Sequence, residues 1–463
     1  MLRLVFDGGV TPNLPIPLLF SVWGGTLSAS YLGMSSVKLH RQFNRTLQEE
    51  IISTRFSCGL RGILLPKPGM SKKIAIAATR YGSIDLTFEV EGRKVETPPG
   101  IAHFLEHQLF KKKKGDLLVD FGEYGASSNA FTEYCSTAYY FLTSGQYTSS
   151  LDLLLKLAWE PYFHSEYVDK ERQIIEQELR MYDDAPDYRI YKNLMSGLYQ
   201  KHPIRLDVGG EVSDLAKIDV RLLEECYRVF YHPENMVLIL AGDLDAQEIF
   251  DHVESRLPKK FSSLPPSQRF LPEEPEGVAK RMSWEEMSVS RPSVLIGFKE
   301  QNVAEGDHLR RDIEMSMVLD LLFGRGSDFY QKHYATGLID DSFSSSYNSD
   351  LPYGFTLIGG ETDHPEKLEE EVRKELQSMR RKRFKKPDVD RVKRKRTGRY
   401  IRAFDSPDGA AFLILGCVQK GIDVFDVTDA ISRVTPDLLK ERFLSHFNLD
   451  HYAVSVIAPS GQN

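Results

Sequence analysis

The chain has 463 residues, of which 41% are hydrophobic and 27% charged, and a formal net charge of -7. That length exceeds what one hydrophobic core organises, so two or more domains are expected, and the apolar share is that of an ordinary globular protein. The mildly acidic balance argues against a general nucleic-acid binder, and no nucleic-acid partner is expected.

In chain order, the first segment to interpret is Pro12 to Leu32, which is apolar-rich. It is a poor signal peptide, with a single Arg3 before Asp7 and no clear small-x-small cleavage site. Pro15, Pro17 and Gly24-Gly25 interrupt it as a membrane span, so membrane association is not expected. Residues 1–50 are expected to form an N-terminal extension, either disordered or the product of a start codon upstream of Met34.

From Ile51 onward short apolar runs alternate with long amphipathic stretches, the pattern of a mixed chain of strands and helices. Strands are expected at Leu60 to Leu65 and Ile74 to Thr79, and Pro98-Pro99-Gly100 then opens a helix. A strand at Tyr134 to Leu142 follows, with helices at Ser149 to Trp159 and Ser165 to Met181 and a strongly apolar strand at Met236 to Ala241. Between Leu257 and Gly277 five prolines lie among charged residues and serines, a composition that suits a linker. Beyond it the order of elements recurs: a strand at Ser293 to Phe298, a helix at His308 to Phe323, strands near Phe343 and at Gly354 to Gly359, helices, and a last strand at Tyr452 to Ile457. The chain therefore reads as pseudo-duplicated. The expected domains are 51–256, a linker at 257–280, and 281–463. A basic run from Arg380 to Arg399 reads as solvated helix faces around Pro387. Cys58, Cys135, Cys226 and Cys417 show no CxxC pairing, which suits a reducing, cytoplasmic setting.

The helix after Pro99-Gly100 carries His103-Phe104-Leu105-Glu106-His107. Helical periodicity brings positions i, i+3 and i+4 onto one face, so two imidazoles and a carboxylate converge. This His-x-x-Glu-His order is that of the inverzincins, in which two zinc ligands stand one turn apart beside a carboxylate that deprotonates a water. His103 and His107 are thus the expected metal ligands and Glu106 the expected general base. A catalytic zinc takes a third protein ligand, and the Ser165 to Met181 helix offers Glu171, Glu176 and Glu178. Glu171 and Glu178 are two turns apart, beside Ile174 and Ile175, and a carboxylate on an apolar face needs a partner. Glu178 is the expected third ligand and Glu171 the carboxylate that orients the site. The second half has no such motif.

These residues resemble the pitrilysin and insulinase group of zinc peptidases, in its bacterial, mitochondrial-processing-peptidase-like branch. Gly125-Ala126-Ser127-Ser128-Asn129-Ala130-Phe131, Met181-Tyr182-Asp183-Asp184-Ala185-Pro186 and Phe230-Tyr231-His232-Pro233-Glu234-Asn235-Met236 are similar to that branch as well, and the resemblance runs from about Ile51 to Pro459. It implies an α+β fold of two homologous domains, each a mostly antiparallel sheet with helices on one face, closing like a clamshell. It implies zinc as cofactor, hydrolysis of peptides or unfolded segments inside a closed chamber, and substrate addition along the edge at Asn129, Ala130 and Phe131. The resemblance also implies an Arg and a Tyr seven positions apart in the second half, which would hold the oxyanion. The matching positions here are His333 and Asp340, with Tyr334 and Tyr347 nearby. The chain is accordingly expected to be a zinc-bearing subunit that dimerises with itself or with a homologous subunit supplying the Arg and Tyr. The alternative is a non-catalytic scaffold subunit of the same family, which has no need of intact His103, Glu106, His107 and Glu178.

Overall fold

The protein is described here by a computed structural model, which covers residues 37–259, 261, 267–300, 307–350 and 353–461. The segment expected as a disordered or mis-started extension up to Met34 lies outside these residues, as do Pro265 and Pro266 of the expected linker. The rest of the expected extension does not stand apart: His40–Asn44 forms an edge strand paired with Glu49–Arg55.

A seven-stranded sheet organises the first half, in the order His40–Asn44, Glu49–Arg55, Arg61–Pro66, Met236–Gly242, Lys73–Thr79, Thr137–Thr143, Ser127–Thr132. A five-stranded sheet organises the second, in the order Met282–Met287, Tyr452–Pro459, Ser293–Lys299, Tyr353–Glu361, Ser344–Asp350. The last five strands of the first sheet and all five of the second share one pattern, a parallel pair followed by three antiparallel pairs. The duplication read from element order is therefore a duplication of topology. Within it the motif helix, Ile101–Phe110, and the helix His308–Phe323 occupy corresponding places between corresponding strands.

The central strands are apolar on both sides because both faces of each sheet are covered, and Met236–Gly242 is buried along its whole length. On one face Ala75, Ala77, Leu238 and Leu240 pack under the motif helix and the helix Tyr147–Trp159. On the other, Ile63, Ile74, Ile76 and Ile239 meet Ala410, Ala411 and Ile414 of Pro407–Gln419, a helix from the second half. The exchange is reciprocal: Ile190, Leu194, Met195 and Leu198 of Pro186–Leu198 pack on Leu295, Phe355, Leu357 and Ile457 of the second sheet. The expected single layer of helices is present in each half, and the opposite face is closed by a helix lent from the other half.

The proline-rich segment is also part of the fold. Ser267–Arg269 adds as a third strand to Thr87–Val90 and Arg93–Glu96. Glu274 accepts hydrogen bonds from the backbone N–H groups of Gln200, Lys201 and His202, each at 2.8 Å, and is bridged by the buried Lys299 ammonium at 2.7 Å. The basic run spans the end of Pro365–Met379 and the helix Lys386–Arg402, with Pro387 in the first turn of the latter, and two of its lysines pair with Asp390 and Asp320. Among the described residues no helix is long and apolar enough to cross a membrane.

Candidate metal centre

The motif helix enters through Gly100, whose φ of +87° is open to glycine and whose missing side chain matters: a Cβ there would lie 2.2 Å from the Gly209 carbonyl oxygen. The loop Asp207 to Gly210 thereby packs directly on the start of the helix. One turn apart, His103 and His107 meet edge to face, with ring centroids 4.6 Å apart at 69°. The helix expected over Ser165 to Met181 forms as Ser165–Asp183 and packs against the motif helix through Val168, Ile175 and Leu179. Ile175 lies inside and Ile174 is exposed, so the face carrying Glu171 and Glu178 is the one toward the motif.

Ligand atoms of His103, His107 and Glu178 all lie within 4.8 Å of one another. Glu178 approaches His103 Nε2 at 3.9 Å and His107 Nε2 at 3.3 Å. Zinc bonds of about 2.0–2.2 Å to nitrogen and oxygen span donors at such separations, and two histidines with a glutamate leave the fourth position open for reaction. Glu171 Oε1 bonds His107 Nδ1 at 2.9 Å, leaving Nε2 to face Glu178, while its other oxygen takes Lys111 Nζ at 3.2 Å. Lys111 is anchored in turn by Asp116 at 2.8 Å.

Burial sets the protonation of the cluster. It lowers His103 to about 4, with the neighbouring His107 adding to the effect, so His103 is neutral as a ligand must be. Burial also opposes charge on His107, but hydrogen bonds to Glu171 and Glu178 outweigh it and raise that imidazole to about 10. Burial likewise works against ionised Glu178, and His107, His103 and Tyr182 overcome it and hold the carboxyl near about 2. His107 is thus flanked by two carboxylates, Glu171 at Nδ1 and Glu178 at Nε2. Glu106 is pushed by burial to about 7, against the hydrogen bond that Thr132 Oγ1 donates to it at 2.6 Å. A carboxyl poised there can accept a proton near neutrality.

A cleft opens beside these groups, lined by Glu106, His107, Phe110, Lys111, Leu118, Asn129, Ala130 and Glu171. Asn129 and Ala130 thus face it from the edge strand Ser127–Thr132, which among the described residues pairs only with Thr137–Thr143. Phe131 lies on the opposite side from Ala130, against Tyr140 and Phe412 of the lent helix, as the alternation of a strand requires. Sequence reasoning missed Thr132, Lys111, Leu118 and Tyr182. Lys111 stands four residues after His107 and Tyr182 four residues after Glu178, so both were signalled by spacing, whereas Thr132 and Leu118 reach the site only through the fold.

In the second half His333 is buried against Phe329, with Nε2 3.4 Å from Glu371. Asp340 pairs with Arg291 and accepts from Ser342 Oγ at 2.5 Å. The Tyr347 hydroxyl donates to Glu300 at 2.9 Å, and the exposed Tyr334 stacks on Tyr330. On the helix that corresponds to the motif helix, Asp312 takes Ser349 Oγ at 2.5 Å and the Lys420 ammonium. A lysine therefore supplies the positive charge there.

Residues 91–211 match the insulinase family, peptidase family M16, and residues 217–396 match the peptidase M16 inactive domain. An uncharacterized zinc protease of Bacillus subtilis, YmfH, is 34% identical over 89% of this chain and 97% of its own length. A second B. subtilis zinc protease, YmxG, is 24% identical over 80% of this chain and 91% of its own. The crystal structure of a putative M16-like peptidase from Alicyclobacillus acidocaldarius superposes with a TM-score of 0.84 at 34% identity, covering 92% of this chain and 100% of that one. Pitrilysin shares the fold, with a TM-score of 0.71 at 18% identity, and this chain covers 47% of it.

Proposed function

The chain belongs to the insulinase family of zinc proteases, peptidase family M16, and on that premise we propose that it is an endopeptidase for peptides or unfolded segments, with His103, His107 and Glu178 holding the zinc. The observation that carries this reading is the buried Glu106 carboxyl, raised to about 7 beside three converging ligand atoms. When bound, zinc supplies Lewis acidity toward the scissile carbonyl and the attacking water. Glu106 takes the proton of that water, and the Thr132 hydroxyl fixes which of its oxygens is free to do so. Glu171 fixes the tautomer and ring plane of His107. Open backbone groups of Ser127–Thr132 pair with an extended peptide, which sets its scissile bond over the cleft at Asn129 and Ala130.

Zinc content and cleavage of a quenched peptide library, compared between wild type and Glu106→Gln, test the assignment. The expected outcome is equal zinc in both proteins and a loss of roughly 10²–10⁴-fold in cleavage by the variant. Wild-type protein without stoichiometric zinc, or a variant that cleaves at the wild-type rate, would sink it.

The chain is further proposed to be the zinc-bearing member of a pair of homologous subunits. His333 and Asp340 are engaged by Glu371 and Arg291, and Tyr347 by Glu300, so the second half offers no arginine and tyrosine pair at the matching positions. Cleavage by the chain alone should be far below that of the chain mixed with a homologous partner that carries such a pair. Equal rates would remove the need for a partner.

A further inference from the structure

The segment Met181-Tyr182-Asp183-Asp184 is a motif of the first half that the reaction does not use. Tyr182 stands four residues after Glu178 on the same helix, one turn on and on the same face, where its hydroxyl helps to hold the Glu178 carboxyl below its ordinary value. The ring of Tyr182 stacks on Tyr188, with centroids 5.0 Å apart at 19°. Tyr188 in turn donates to Asp207 Oδ1 at 2.5 Å, and the same oxygen accepts the Gly209 N–H at 2.9 Å. The Asp207 side chain is 2% exposed, so its position is fixed by packing as well as by these bonds.

Asp207 also lies toward the other side of the metal site. A Cβ placed on Gly209 would lie 3.5 Å from His103 Nδ1 and 3.6 Å from Asp207 Oδ1. His103 Nδ1 is buried and takes no hydrogen bond from the described protein atoms. His107, by contrast, has Glu171 behind it. Metal-bound histidines and carboxylates depend on such supporting groups for orientation and affinity.

We propose that Tyr182, Tyr188 and Asp207 form a brace that positions the metal ligands, with Tyr182 orienting Glu178 and Asp207 anchoring the brace beside His103. None of the three lines the cleft beside Glu106, so they are positioning residues. This inference rests on the zinc reading above and adds the groups that tune it. In the Tyr182→Phe variant the stack on Tyr188 persists while the hydroxyl next to Glu178 is removed. In Asp207→Asn the shape of the side chain is kept and its charge removed.

The test is zinc affinity, measured by competition with a chromophoric chelator, together with the visible absorption of the Co²⁺-substituted protein and the melting temperature of the metal-free protein. Both variants are expected to lose about tenfold in zinc affinity and to show an altered Co²⁺ spectrum. Tyr182→Phe should melt as wild type does when metal-free, which separates positioning from folding. Zinc affinity within twofold of wild type in either folded variant, with an unchanged Co²⁺ spectrum, overturns the brace. Should Asp207→Asn fail to fold, Tyr182→Phe alone decides. Wild-type protein that binds no zinc overturns instead the zinc reading on which the brace depends.

Discussion

The proton on His107 defines the site before metal arrives. Two carboxylates hold that imidazole at about 10, well above its ordinary value, although burial opposes the charge. Zinc needs the neutral ring, so metal and proton compete for Nε2. At pH 7 to 9, below the raised value, His107 is protonated in the metal-free protein, and zinc binding should release close to one proton. Apparent zinc affinity should therefore rise by about tenfold per pH unit across that range and level off near the raised value. Titration calorimetry in two buffers of different ionisation enthalpy measures the released proton, and binding without release would mean that His107 is neutral beforehand. The motif was legible in the sequence because His103, Glu106 and His107 lie within one helical turn. The shift of His107 was not, because it depends on Glu171 and Glu178 from another helix.

At the scale of elements, the lent helices are what the sequence concealed. Pro407–Gln419 is apolar nearly all round, with Ala410, Ala411, Leu413, Ile414, Leu415 and Cys417 buried, as a helix between two layers must be. Its amino acids announce burial but do not say in which half. Ile414 is 1% exposed and packs against the first sheet, the sheet that presents the metal site. Ile414→Ala should cost about 2–4 kcal/mol, and denaturant unfolding should show probes in the first half shifting together with those in the second, although the substitution lies in the second. Signals confined to the second half would contradict the exchange. Most expected strands and helices formed within a few residues of their expected limits, because apolar runs and capping residues mark them locally. His40–Asn44 and Ser267–Arg269 were missed because each is short and half-exposed, the first an edge strand in a hairpin with Glu49–Arg55 and the second made by pairing with the distant Thr87–Val90.

For the whole molecule, reciprocal exchange makes the two halves one folding unit. Glu274 reinforces this by joining backbone N–H groups of the first half to Lys299 of the second. Lys299→Met removes the positive charge and leaves Glu274 without its ionic partner in a half-buried place. Loss of about 3 kcal/mol is expected, with a single cooperative thermal transition retained. Calorimetry checks both, and two resolved transitions in the variant would show that the halves are held together by this contact rather than by the helices. The same architecture places the His-x-x-Glu-His helix and its counterpart at pseudo-equivalent sites, one offering metal ligands and the other the Asp312, Ser349 and Lys420 cluster.

Sequence alone determined what is local or periodic: the motif, the candidate third ligand and supporting carboxylate two turns apart, and the pseudo-duplication. These are set by helical and strand spacing, which any segment carries within itself. Only the tertiary structure decided which helix covers which sheet and how burial divides the protons among His103, Glu106 and His107. It also decided that Thr132 and Leu118 face the site while Phe131 turns away. Those outcomes depend on surfaces brought together from remote parts of the chain, and no local pattern records them.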